Sequence, residues 1–299
     1  MKHYARLFLV LFIASPTLAV SATYDRTEDV IGEVRHYTIG KDETLYSIAR
    51  KFDLGIVEVM AANPGIDPWL PGQDTLLFLP LMHVLPDTER SGIVINLSGL
   101  RLFYFPDDKT VMSFPIGIGK EGWRTPVGIT KIALKRKDPT WIPPSSIRKK
   151  DPELPKFVPP GPDNPLGKYA LNLGIPELAI HGTNKPYGIG SRSSHGCIRM
   201  YPEDIEVLFN NVSVGIKVTI IDSHYNLGWK NNILFLEVRP TQEQSDTIMN
   251  HSETTPYAMP EVYDMIAKKA GTKAGIRWPH VEDAIRKHDG IVVPIFTRP

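Results

Sequence analysis

Ser194-His195-Gly196-Cys197-Ile198-Arg199 contains the only cysteine of this 299-residue chain, sixteen positions after His181. A lone cysteine cannot close an internal disulfide. It is an inert buried residue, an intermolecular linker or a thiol kept for its chemistry. Two histidines, a flanking glycine and a nearby arginine favour the third reading. A thiol becomes a strong nucleophile on ionisation, and an adjacent imidazole can take or share its proton near neutral pH. His195 is two residues from the thiol, and in an extended or turn geometry its side chain points to one side. His181 arrives on a separate strand end and can face Cys197 across a site. His181 is therefore expected as the base, and His195 as a shaping group.

Gly196 lets the backbone turn tightly and leaves room for a substrate. The amides of His195, Gly196 and Cys197 are then expected to point at a developing oxyanion, with Ser194 helping to shape that loop. Arg199 lies on the same side as Cys197 in an extended run and is expected to hold a substrate carboxylate. Its competing reading is an ion pair with Glu203 or Asp204 on the next helix. Tyr187 is a further candidate for substrate binding. His181, His195 and Cys197 are metal-ligand types, but no fourth ligand is evident, so neither a metal nor a cofactor is expected.

Upstream, Met1 to Arg6 is a basic leader, Leu7 to Ile13 an apolar core, and small residues run to Ala22. This pattern predicts an export signal over residues 1–22, cut after Val20-Ser21-Ala22, and hence a periplasmic protein. The apolar run is well short of the ~20 residues of a membrane span. An oxidising compartment usually turns cysteines into disulfides, which makes a single thiol there more pointed. The remaining chain, roughly 277 residues, suits about two domains. A net charge of +1 gives no electrostatic case for nucleic acid or a polybasic membrane anchor.

Between these ends, His36 to Ile39 reads as a strand and Thr44 to Phe52 as a helix capped by Thr44. Ile56 to Ala61 reads as a second helix ending at Asn63-Pro64-Gly65, and Leu76 to Pro80 as a closing strand. Further on, Gly92–Leu97 and Arg101–Phe105 flank Ser98-Gly99-Leu100 as a hairpin, followed by strands over Val111–Ile118 and Gly128–Leu134. Residues 139–165 carry nine prolines and no helical period, so an ordered loop is expected there, walling or covering a site. Tyr169–Leu173 and Leu178–Ile180 resume the strands and deliver His181. Pro202–Asn210 reads as a helix and Gly215–Ile221 as a strand. Beyond His224, a strand over Ile233–Val238 and helices over Glu261–Ala270 and Val281–His288 are expected.

The first unit resembles a LysM module through Tyr37, Thr44-Leu45, Ile48-Ala49, Asn63 and Leu70-Pro71-Gly72 leading into Leu79-Pro80. The usual Gly-Asp before the helix is replaced by Asp42-Glu43. The run His181-Gly182-Thr183 through Ser194–Arg199 resembles the signature of L,D-transpeptidases of the YkuD type. Pro115 to Gly119, Thr125-Pro126-Val127-Gly128, Asn164 to Gly167 and Tyr169-Ala170 fit the same family. The resemblance implies a mainly β fold, with a LysM (βααβ) module at 34–82, a β-sandwich-like catalytic domain at 91–222 and an α+β extension at 223–299.

It also implies a chemistry. Cys197 would attack the diaminopimelate–D-Ala bond of a peptidoglycan tetrapeptide stem, release D-Ala and pass the acyl group to an amine. His181 would move the proton, with the Gly182 carbonyl orienting it. The acceptor would be a second diaminopimelate, giving a 3-3 crosslink, or the terminal lysine of an outer-membrane lipoprotein. β-Lactams of the carbapenem type would acylate Cys197, and a low-pKa thiol would call for a periplasmic thiol reductase as partner. Two rivals stand beside this reading: an L,D-carboxypeptidase hydrolysing the same thioester, and an inactive LysM wall-binding protein.

Overall fold

The computed structural model describes residues 23–251, 254–256 and 258–298, so the expected signal peptide lies outside the described residues. The N-terminal unit is a strand, two helices and a strand. Thr44 caps helix α1 (Leu45–Lys51) reciprocally with Ser47, each side chain accepting from the other's backbone N–H, at 3.1 and 3.0 Å. Leu45, Ile48 and Ala49 fall on its buried face, as their spacing predicts. Helix α2 (Ile56–Ala62) follows, and its C-cap Asn63 bonds both Val59 O and the Phe78 backbone, tying the helix to the closing strand. That strand, Leu76–Leu79, pairs antiparallel with Arg35–Thr38.

The central body is a mixed nine-stranded sheet, counted among the described residues. In spatial order its strands are Thr23–Asp25, Thr110–Pro115, Arg101–Phe105, Gly92–Asn96, Lys217–Ile221, Gly128–Lys137, Tyr169–Leu173, Ala179–His181 and Ile198–Arg199. Two neighbouring pairs are parallel: Lys217–Ile221 with Gly92–Asn96, and Ala179–His181 with Ile198–Arg199. Ile95, Leu102, Phe114, Leu171 and Ile180 from this sheet share one core with Ile205 and Leu208 of helix α4 (Pro202–Asn211). The C-terminal region adds a three-stranded antiparallel sheet, Tyr225–Lys230, Ile233–Val238 and Val293–Thr297. Helices α6 (Pro260–Ala270) and α7 (Trp278–Lys287) cover it through a separate core around Leu234, Val262, Val281 and Ile295. Helix α5 (Gln242–Met249), in contrast, reaches back to pack on α2. Strand outweighs helix, as expected.

Several local expectations need correction. The proline-rich segment contains helix α3 (Ser145–Lys150), because Pro143, Pro144 and Pro152 flank those six residues without entering them. The strand expected over Val111–Ile118 breaks at Pro115, and Ile118–Gly119 pairs instead with Arg192–Ser194. The strand from Gly128 runs on to Lys137 through an irregularity between Ile132 and Leu134. Among the described residues, no helix is long and apolar enough to cross a membrane.

Candidate active site

Cys197 and His181 are delivered by adjacent parallel strands. His181 lies opposite Arg199, and Ile180 opposite Ile198, so Cys197 enters its strand beside the strand that ends in His181. Both ends are pinned. Arg199 exchanges backbone hydrogen bonds with Gly117 at 2.8 Å each, and Met200 N–H donates to His181 O at 2.9 Å.

The His181 ring is buried, with Nδ1 2.6 Å from Gly182 O. A carbonyl only accepts, so Nδ1 carries the proton and Nε2 keeps its lone pair. Burial, and then the Arg199 charge, push this imidazole down to about 4. Burial pushes the Cys197 thiol up, against smaller opposing effects of the Ala179 backbone and Arg199. The thiol donates to Glu177 O at 3.3 Å. The resting pair is thus a neutral thiol beside a neutral imidazole. The expectation of a low-pKa thiol fails, because the pocket penalises the thiolate more than Arg199 favours it.

The loop before Cys197 is held by its own side chains. Ser194 Oγ donates to Cys197 O at 2.5 Å and accepts from Gly196 N–H at 3.1 Å. Of the three amides expected at an oxyanion, that of Gly196 is therefore engaged, which leaves those of His195 and Cys197. Gly196 has φ +102°, a conformation that disfavours any side chain. Thr125 Oγ1 donates to Gly196 O at 2.8 Å and accepts from Gly119 N–H at 3.1 Å, fastening the loop to the Ile118–Gly119 strand.

A cleft of about 260 Å³ opens over Cys197, lined by His181, Ser194, His195, Gly196 and Arg199 together with Trp123, Arg124, Trp141, Ile147 and Glu177. The proline-rich segment supplies one wall, as its sequence led us to expect. Asn164 fixes that segment from within by donating to Pro139 O, Val158 O and Pro159 O. His195 stands edge-on to Trp123 at 4.8 Å, and Lys150 of α3 lies 4.5 Å from the same ring. Burial and the charges of Lys120, Arg199 and Lys150 all lower the His195 pKa.

Arg199 does not make the ion pair that competed with its substrate-binding reading. Glu203 is taken by Arg50 at 2.7 and 2.8 Å. Among the described residues no carboxylate pairs with Arg199, its Nε has no hydrogen-bond partner, and its Nη1 reaches only Ser193 O at 3.4 Å. Tyr187 lies elsewhere. The 3₁₀ turn Pro186–Gly188 carries it outward, 60% exposed, into an aromatic group with Tyr46 and Trp69 of the N-terminal unit. It does not line the cleft.

Sequence reasoning missed Trp123, Trp141 and Glu177. Trp123 could have been found from its place in the Lys120–Arg124 turn between two segments that fit the family. Glu177 contributes a backbone carbonyl, which no side-chain pattern announces. Among the described residues no group of three or more His, Cys, Asp and Glu is arranged to hold a metal ion.

Residues 90–220 match the L,D-transpeptidase catalytic domain, and residues 37–68 match the LysM domain. The chain is 38% identical over 267 residues to the Escherichia coli (strain K12) protein named "Probable L,D-transpeptidase YcfS", covering 85% of this chain and 82% of that one. It is 43% identical to "Probable L,D-transpeptidase YbiS" of the same organism, over 73% of this chain and 74% of the relative. The same organism's "Probable L,D-transpeptidase ErfK/SrfK" is also 43% identical, over 72% of each chain. With likeness of this extent on both sides of the cysteine, the chain belongs to the L,D-transpeptidase family, enzymes of the peptidoglycan cell wall, and carries a LysM domain ahead of its catalytic domain.

Proposed function

We propose that Cys197 is acylated by the tetrapeptide stem of peptidoglycan at its diaminopimelate–D-Ala bond, and that His181 is the base. The observation that carries this reading is the His181 Nδ1–Gly182 O contact of 2.6 Å, which leaves Nε2 as an acceptor in the cleft that holds Cys197. For this step the thiol gives up its bond to Glu177 O. The thiol proton passes to Nε2 as sulfur attacks the carbonyl, so charge separation arises only during the step. The amides of His195 and Cys197 receive the oxyanion. His181 then returns the proton to the departing D-Ala amine, leaving a thioester, and an acceptor amine retraces these steps in reverse. Arg199, with no carboxylate of its own, takes a carboxylate of the stem.

The protein acts in the periplasm on stems whose glycan the LysM domain holds. The acceptor is a diaminopimelate amine of a second stem or the terminal lysine of an outer-membrane lipoprotein. A lone thiol in an oxidising compartment is exposed to oxidants even when it rests protonated, so a periplasmic thiol reductase keeps Cys197 reduced, and unchanged activity in cells lacking such reductases would count against that partner. Intact-protein mass spectrometry after incubation with a disaccharide-tetrapeptide tests the central step, with Cys197→Ala alongside. An adduct of the tripeptide acyl mass, absent from the variant, is the expected result. Release of D-Ala with water as the only acceptor would favour a carboxypeptidase. No adduct and no D-Ala from folded, reduced protein would sink the reading.

A further inference from the structure

The N-terminal unit is seated on the segment that leads into the nucleophile loop. Ile56 N–H donates to Ile189 O at 3.3 Å and Val57 N–H to Gly190 O at 3.1 Å, so catalytic-domain carbonyls receive the first two amides of α2. Gly190 N–H in turn donates to Ile116 O at 3.1 Å. The two backbones meet so closely that neither side accepts a side chain. A Cβ on Gly55 would lie 2.7 Å from Gly190 Cα, and one on Gly190 would lie 2.1 Å from Gly55 Cα. The Val57 side chain is buried inside the catalytic core with Leu100, Leu102 and Ile116. Arg50–Glu203 and the Tyr201 OH to Leu54 O bond (3.2 Å) close the same seam.

From Gly190 the chain enters the Arg192–Ser194 strand, whose Ser194 Oγ is bonded to Cys197 O only seven residues beyond Gly190. We propose that the N-terminal unit is a positioning element for the reaction: the seating of Gly55–Val57 on Ile189–Gly190 fixes the loop that presents Cys197 to its acyl donor. This role goes beyond holding glycan and rests on Cys197 as the nucleophile. It acts through orientation, where a displacement of about 1 Å at a reacting group costs on the order of 100-fold in rate.

Gly55→Ala isolates the contact. Gly55 has φ −82° and ψ 149°, which any residue adopts, and the only atom closer than 3.0 Å to the new Cβ belongs to Gly190. The substitution therefore spares the unit itself and wedges the seam. The substrate is a glycan-free tetrapeptide stem, too small to engage the LysM domain, and wild type and variant are compared for kcat and KM of D-Ala release. The expected result is a kcat lower by about tenfold or more with KM little changed and cooperative unfolding retained. The pH midpoint for alkylation of Cys197 by iodoacetamide should shift as well, since the loop sets the thiol's surroundings. Arg50→Gln, which breaks a partly exposed ion pair across the seam, should give a smaller loss in the same direction, and decides alone if Gly55→Ala does not fold. Folded variants with wild-type kcat and an unchanged alkylation profile would overturn the proposal. Wild-type protein that releases no D-Ala would defeat the transpeptidase reading instead, and the alkylation profile would still report whether the loop depends on the seam.

Discussion

Glu58 Oε2 accepts a hydrogen bond from Arg101 Nη1 at 2.9 Å, deep in the seam between the LysM domain and the catalytic sheet. The other carboxylate oxygen accepts from Arg239 of the C-terminal region at 3.1 Å, and Arg239 also holds Glu237 at 2.6 Å. One buried carboxylate thus joins all three parts of the chain. Burial alone would push the Glu58 carboxyl up, but the charges of Arg101 and Arg239 and the Gly55 amide bring it to about 2. Removing one member of such a cluster leaves its partners buried without their counter-charge, at a cost of about 3–5 kcal/mol. Glu58→Ala should lose that much in urea unfolding. A loss below about 1 kcal/mol would mean that water enters the seam readily.

Asp53 and Asp204 face each other across the same seam and predict a pH effect of definite sign. Burial is the main cause that raises both, Asp53 to about 6 and Asp204 well above the ordinary carboxyl range; the Asp53 charge raises Asp204 further, while the hydrogen bond with Asp204 lowers Asp53. The folded protein then binds protons that the unfolded chain has released. Stability from this pair is full below the unfolded carboxyl value of 3.8; the Asp53 share is lost as pH rises through 6, and the Asp204 share is lost as pH rises through its own raised value. His181 contributes in the opposite direction, because its lowered folded pKa adds stability above 6.5 that fades toward 4. A comparison with Asp204→Asn removes the His181 contribution. The wild-type melting temperature relative to the variant should fall between pH 5 and 8, and parallel curves would show that the pair shares no proton.

That Cys197 and His181 meet at one cleft, with Gly182 O against the His181 ring, was legible because residue type, short spacing and a strand end define that arrangement. The seam was not. Arg101 stands 43 residues from Glu58, and Arg239 stands 181 from it. Arg101 opens a strand that its apolar neighbours announce, yet nothing in that pattern says that its guanidinium is buried against another domain. The place of Tyr187 outside the cleft was hidden for a related reason. Tyr187 is near the catalytic motif in sequence, whereas the turn begun at Pro186 carries it toward Trp69 and Tyr46 of the N-terminal unit. Helix α3 was hidden by treating nine prolines as one breaker rather than reading the proline-free window between Pro144 and Pro152.

A base with a pKa near 4 changes the expected pH–rate profile. If His181 accepts the thiol proton, D-Ala release should be level from about pH 6 to 8 and fall about tenfold per unit below pH 4. An ordinary imidazole would place that limb near 6.5. A limb near 6.5 in the initial rates would show that His181 is solvated during turnover, or that another group is the base.

Arg199 is the second cause, after burial, of the low His181 pKa, and this links its charge to both binding and the acid limb. Arg199→Gln removes a cation that disfavours the imidazolium, so the limb should move up from about 4 toward 6.5. It also removes the charged donor for the stem carboxylate, worth about 1.5–3 kcal/mol, so KM should rise by about 10- to 150-fold. Arg199→Lys separates the two effects. Lysine keeps the charge but loses the planar pair of donors, so the limb should stay near 4 while KM still rises. A limb that moves equally in both variants would mean that the substitutions open the pocket to water, and that burial rather than the Arg199 charge sets the His181 base.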